Sequence, residues 1–283
     1  MYTARFRSSD LEKQLLTEHI RNVATIAKTF AKKVHLEGTM QLAGYLHDMG
    51  KYADGFQNYI KSEYERAEHD FDEYLKHRCF SDFDHGVYGA KYIYERFHTG
   101  NDSQKRAAEV LALAVAYHHG RLPDCEDDNG RIPILKRLEK IEEKELRQIV
   151  ERFCSNIIGE EDLAKLFQQS CREIEAISAK NQRKTDAKFL WDLLVKSVYS
   201  MLIDADRLDA MCFEMKEPWE NYVERENEID GTWADYQKRF ENYLDGLNQN
   251  TQENITEKQK EVNRIREEIS EECLEKADKP TGI

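Results

Sequence analysis

Apolar residues recur at steps of three and four along most of the chain, the spacing that gathers them on one face of a helix. Near the start, "LEKQLLTEHIRNVATIAKTFAKKV" carries such a stripe through Leu15, Leu16, Ile20, Val23, Ile26, Ala27, Phe30 and Val34. A shorter helix over "TMQLAGYLHDMG" is expected to stop at Gly50, and others are expected over 55–66, 70–78, 83–98 and 103–118. The last ends at "HHG", where Gly120 is a stop signal. "GRLPDCEDDNGRIP", residues 120–133, is the clearest loop, with two prolines, two glycines and four acids.

Between Pro133 and Pro218 the pattern reads as three or four more helices. The last, "TDAKFLWDLLVKSVYSMLIDADRLDAM", is strongly apolar, with Thr185 or Asp186 as its cap. After Pro218 the texture turns polar. A modest helix and the hinge "LNQNTQEN" precede an amphipathic helix striped by Val262, Ile265, Ile269 and Leu274. No alternating strand pattern and no internal repeat stand out. The expected fold is all-α: a helical bundle over residues 1–225, followed by an acidic helical appendage or linker over 226–283.

Charge changes this picture little but limits the partners. The net charge is −13 over 283 residues. Residues 226–283 hold eight Lys/Arg against fifteen Asp/Glu, so about half of the imbalance lies in the tail. That argues against nucleic-acid binding through a broad basic surface, although a phosphate-handling site can still be locally positive. Two bound divalent cations would cancel four of the negative charges. The six cysteines are scattered without a CxxC pair, so they suggest neither a zinc ribbon nor a disulfide framework. No apolar run approaches the ~20 residues of a membrane span, and the first residues lack a secretion signal, so a cytoplasmic protein without a membrane partner is expected.

The histidines carry the chemistry. His35, His69, His77 and His98 lie in polar surroundings and read as surface residues. The other five fall on or beside expected helix ends. His19 lies in the first amphipathic helix, and His47-Asp48 closes a short one. His85 opens a helix, and His118-His119 follow the apolar run "VLALAVA". Two adjacent imidazoles at the end of a buried helix must be satisfied by something. "SMLIDADRLDA" adds Asp204, Asp206 and Asp209 at the end of the most apolar helix, where a bare carboxylate would be costly to bury. Neutral imidazoles with carboxylates suit manganese, iron, cobalt, nickel or magnesium. The ordered series His19, His47, Asp48, His85, His118, His119 and Asp206 is too large for one metal that keeps a position open. It points to two metals bridged by a carboxylate.

In "LHDMGKYADGFQNYI", "DHGVYGA", "AYHHGRL" and "LIDADRLDA", taken in that order, the chain resembles the HD superfamily of metal-dependent phosphohydrolases. More narrowly, it resembles the HD nuclease domain of the helicase–nuclease of type I CRISPR interference. The likeness covers roughly residues 15 to 212. It implies an all-helical HD fold, with one metal held by His19, His47, Asp48 and Asp206. A second would be held by Asp48, His85, His118 and His119, so that Asp48 bridges. Asp206 is preferred to Asp204 as the acid of the "ADRL" sequence. Lys51 would contact the scissile phosphate or the leaving oxygen, making Asp48 and Lys51 the catalytic pair, while Phe56 and Gln57 would be structural. The implied partners are single-stranded DNA, a CRISPR helicase fused or separate, and through it the RNA-guided surveillance complex.

No cofactor beyond the metals is expected, and no GxxxxGK[ST] phosphate loop is present. Tyr45, Tyr52, Phe56, Tyr88 and Tyr117 near the site belong to the core or stack bases. Two readings compete with the nuclease: another HD enzyme acting on nucleotides or cyclic nucleotides, and a non-catalytic module that recruits a helicase.

Overall fold

The computed structural model describes residues 2–7, 9–70, 74, 83–124, 126–180, 187–227, 236–240, 242–243 and 256–277. Helices dominate them, and the fold is the expected all-α helical bundle. The one departure is an N-terminal hairpin of β1 (Thr3–Phe6) and β2 (Lys13–Leu15), paired antiparallel. The sequence reading runs the first helix from Leu11, but α1 spans Leu16–Phe30. Leu11 is held at φ 59°, a left-handed conformation that no helix accommodates. The Leu16 amide is then taken by the Tyr2 carbonyl.

α1 buries Leu16, Ile20, Val23 and Ile26 against α2 (Glu37–Leu46). α2 ends before the glycine expected to stop it, and a 3-10 turn, Met49–Tyr52, follows. Gly50 serves a close approach instead: a Cβ there would collide with the His85 carbonyl and the Tyr88 ring. α3 (Asp54–His69) leads away from the turn. α4 (Gly86–Phe97) and α5 (Asp102–Tyr117) form the second tightly packed pair. Asn101 and Gln104 start α5 with reciprocal side-chain caps, satisfying two otherwise free amides.

α6 (Pro133–Leu138), α7 (Glu143–Asn156) and α8 (Glu160–Lys180) complete one side of the bundle. α9 (Ala187–Met215) packs on α5, α1 and α2 and carries Asp206 to their junction. Tyr52, Leu46, Met49, Ile93, Leu111 and Phe153 are among the largest fully buried side chains. Tyr52, Tyr88 and Phe56, considered as base-stacking groups, are at most 5% exposed and belong to this core.

Most of the helix expected over 70–78, with His77, lies outside the described residues, as do Thr185 and Asp186. His98, read as a surface residue, is half-buried, with Nε2 2.8 Å from Glu109 and its ring stacked on Tyr94. Cys154, Cys171 and Cys212 form no disulfide.

The chain divides into two compact units, Met1–Trp219 and Glu220–Ile283. α10 (Glu220–Asn227) and α11 (Glu257–Ala277) belong to the second, where Val262, Ile265 and Ile269 are exposed along α11. No helix among the described residues is long and apolar enough to cross a membrane.

Candidate metal centre

Where α2 ends, His47 and Asp48 turn inward between α1, α4, α5 and α9, and both are fully buried. Asp48 is the hub. Its Oδ2 lies 3.0 Å from His19 Nε2 and 3.3 Å from His47 Nε2. Its Oδ1 lies 3.3 Å from His85 Nε2 and 3.7 Å from His118 Nε2. Asp206 approaches from α9, with Oδ1 3.3 Å from His19 Nε2. His119 completes the far side, its ring centred 4.6 Å from that of His85 and 3.9 Å from that of His118. Six of the seven residues singled out in the sequence therefore gather around the carboxylate of the seventh, Asp48, while Asp204, His35 and His69 are exposed and His98 is paired elsewhere.

Four of the five imidazoles are oriented by what their Nδ1 meets. His47 Nδ1 donates to the Gly44 carbonyl at 2.7 Å, and His118 Nδ1 donates to the Val115 carbonyl at the same distance. His85 Nδ1 donates to the Phe83 carbonyl at 3.2 Å. A carbonyl only accepts, so Nδ1 carries a proton in these three rings, and each turns its Nε2 toward Asp48. His19 Nδ1 instead faces Asp209 Oδ2 at 2.6 Å. Asp209 is 2% exposed and also accepts from Gln14 Nε2 at 2.8 Å and Asn22 Nδ2 at 2.7 Å. Such outer partners fix ring orientation and raise ligand basicity.

Protonation follows the surroundings. Burial, outweighing the pull of nearby carboxylates, holds His47 and His85 below the ordinary histidine value. Partial burial, with His118 and His85 beside it, does the same to His119. For His19, burial and Arg5 push downward, but hydrogen bonds to Asp206, Asp209 and Asp48 prevail and raise it to about 9. Burial alone would raise the Asp48 and Asp206 carboxyls. His47 and Lys51 around Asp48, and His19 and Arg5 around Asp206, overcome it and keep both well below the usual range. Lys51 Nζ lies 2.6 Å from Asp48 Oδ2.

The site fits a divalent cation by its own chemistry. Both Asp48 oxygens and the Nε2 atoms of His85 and His118 are buried without a partner in hydrogen-bond geometry, which a folded protein ordinarily avoids. Asp48, His85, His118 and His119 place one ligand atom each within 4.8 Å of one another. So do His19, His47 and Asp48, and likewise His47, His118 and Asp206. Beside His85, His118 and His119, a cavity of about 630 Å³ opens, walled also by Phe83, Tyr117 and Arg137. Arg137 is engaged there, bidentate on Asp84 at 2.7–3.1 Å and stacked 4.2 Å over Tyr117.

The family model described as Cas3, HD domain matches residues 9–192. The chain belongs to the Cas3 HD-domain family. That makes it a CRISPR-associated, metal-dependent nuclease or phosphohydrolase. A search of curated proteins gives no match. Six of the seven clustered residues lie inside the matched span; Asp206 lies beyond it and joins the site through α9.

Four further residues of this Cas3 HD centre escaped sequence reasoning in their roles: Arg5, Gln14, Asn22 and Asp209. Asp209 is three residues from Asp206 and Asn22 three from His19, so helical spacing placed each beside a candidate ligand. Arg5 and Gln14 had no such signal.

Proposed function

We propose that the chain is a nuclease that cleaves phosphodiester bonds of single-stranded DNA with two divalent cations during type I CRISPR interference. The observation that carries this reading is the two-sided Asp48 carboxylate, with one oxygen toward His19 and His47 and the other toward His85 and His118. One cation would be held by His19, His47, Asp48 and Asp206, the other by Asp48, His85, His118 and His119. Bound there, such a pair supplies Lewis acidity toward phosphate charge and a nucleophile available at neutral pH.

The protein's own groups do the rest. Asp48 holds the two halves of the site in one geometry. The carbonyls of Gly44, Val115 and Phe83 keep three imidazoles aimed, and Asp209 does so for His19. Lys51, 6% exposed, brings a fixed positive charge to the carboxylate hub, where charge develops on the phosphate. His119 is the exposed member of its group and lines the cavity through which a strand would enter. A flexible single strand reaches such a recess more readily than a duplex, and the acidic chain offers little non-specific grip on one. A helicase, fused or separate, would supply the strand.

The decisive experiment incubates the chain with circular single-stranded DNA and intact duplex, with manganese, with chelator and with or without ATP. The expected result is opening of the circle, stopped by chelator, indifferent to ATP, with duplex largely spared. Efficient cutting of unnicked duplex would overturn the single-strand assignment. Hydrolysis confined to mononucleotides would make the protein a nucleotide phosphohydrolase, and a chain that binds no metal would leave it an interaction module.

A further inference from the structure

The hairpin that closes the site is built irregularly. Thr3 stands opposite Leu15, and Arg5 opposite Gln14, so Ala4 is an extra residue on β1. A bulge of this kind bends a strand and re-aims the side chains beside it. Here Ala4 goes into the core, and the cross-strand neighbours Arg5 and Gln14 both reach α9. Gln14 bonds Asp209, while Arg5 Nη2 donates to Asp206 Oδ1 at 3.2 Å and lies 3.2 Å from His19 Nε2. Gln57 anchors this arrangement. Its Oε1 accepts from the Thr3 amide, and its Nε2 donates to the carbonyls of Thr3 and Lys51. One amide side chain thus ties the strand carrying Arg5 to the turn carrying Lys51.

Arg5 differs from the structural arginines of this fold. Arg152 donates through both terminal nitrogens to the two Asp54 oxygens and the Tyr52 carbonyl, and Arg137 grips Asp84 through two nitrogens. Arg5 directs Nη2 alone at Asp206, and its Nε is buried without a partner. Its side chain is 24% exposed, against 13% for Asp206 and none for His19, so it stands on the solvent side of the ligands. A cation held by Asp206 would take over that carboxylate's charge. The guanidinium cannot shed its proton, so it would be left beside a like charge and in need of an anion. A phosphodiester, with two non-bridging oxygens matching the guanidinium fork, meets that need.

We propose that Arg5 is a phosphate-contacting residue of the metal centre, set by the β1 bulge to act on the substrate phosphate opposite Lys51. This rests on the nuclease reading above; Arg5 itself precedes the span matched by the family model.

The test compares the full chain with Arg5→Gln and Arg5→Lys. Manganese affinity is measured by calorimetry, and inorganic phosphate is then titrated into the manganese-loaded proteins. Arg5→Gln should bind manganese within about threefold of wild type yet hold phosphate about tenfold more weakly, with Arg5→Lys intermediate. On a short oligothymidylate, the loss should appear in kcat/KM. Arg5→Gln that binds phosphate like wild type, or loses manganese in the same proportion as phosphate, overturns the proposal in favour of a role confined to orienting Asp206. If Arg5→Gln does not fold, Arg5→Lys decides. Weaker phosphate with normal manganese supports the contact, and normal phosphate with weaker manganese overturns it. A wild-type chain that takes up manganese but neither binds phosphate nor cuts DNA overturns the nuclease reading itself.

Discussion

Asp209→Ala isolates the one histidine that is oriented by a carboxylate instead of a carbonyl. The substitution removes the acceptor of three hydrogen bonds, from His19 Nδ1, Gln14 Nε2 and Asn22 Nδ2. His19 and Gln14 are at most 2% exposed, so their donors are stranded unless water enters the vacated space. Each stranded donor costs about 1–3 kcal/mol, and with partial rescue by water a net loss of roughly 3 kcal/mol is expected. For a unit of this size that lowers the metal-free Tm by roughly 6–12 °C. His19 also loses the partner that fixes its ring, which at other metal sites weakens binding about 10–100-fold, or about 1.4–2.8 kcal/mol. Asp209→Asn keeps an acceptor for His19 and Gln14 but turns its amide toward Asn22, so it should lose about a third as much stability. Calorimetric manganese titration and thermal melting of the metal-free proteins give both quantities. Manganese affinity within about threefold of wild type in Asp209→Ala, with a Tm within about 1 °C, would refute the orienting role.

Other outcomes follow from the same geometry. Asp48→Ala should abolish cleavage and empty both metal positions, because its two oxygens serve both groups; a variant that still binds two metals would defeat the bridging assignment. Asp206→Ala should reduce metal content and activity far more than Asp204→Ala, since Asp206 lies 3.3 Å from His19 whereas Asp204 is exposed; equal losses would show the wrong acid was chosen. His19, raised to about 9, must lose its proton when it ligates, whereas His47, His85 and His119 are held neutral. Metal uptake at about pH 7.5 should therefore release about one proton from this ring, and affinity should rise about tenfold per pH unit until about pH 9. Titration in buffers of different ionisation heat measures the release, and uptake without protons would contradict it. The metal-free protein should respond oppositely: the stability from the raised His19 is fully present below about pH 6.5 and is lost as pH rises through about 9, which thermal melting across that range would show.

The sequence disclosed the parts of the fold that repeat and the clustered His and Asp residues that come in pairs. Helical period was readable over α1, α4, α5 and α9 because their buried faces run three turns or more. The hairpin was not, since strands of four and three residues joined through a bulge carry no alternation to detect. With it went Arg5 and Gln14, whose approach to α9 across 201 and 195 residues is a tertiary fact. Gly50 was visible but misread. A glycine soon after the His47-Asp48 doublet suggests a helix stop, and only the packing of α4 reveals that the missing side chain admits the backbone of His85.

The two doublets share a physical origin that explains why helix ends make this centre. A helix leaves its last carbonyls without intrahelical donors. In "GYLH" and "VAYH" a histidine follows three residues after Gly44 or Val115, and its Nδ1 takes up that carbonyl at 2.7 Å. One hydrogen bond thereby caps the helix, selects the tautomer and turns Nε2 toward Asp48. On a continuing helix the same carbonyl would be occupied by a backbone amide, and the imidazole would need another partner. His19 is that case: it lies within α1, has no free carbonyl to use, and depends on a carboxylate from α9. The clustered histidine embedded in a helix is therefore the one whose orientation, charge and proton are controlled from elsewhere in the bundle, and α9 supplies both its neighbouring carboxylate, Asp206, and its orienting acid, Asp209.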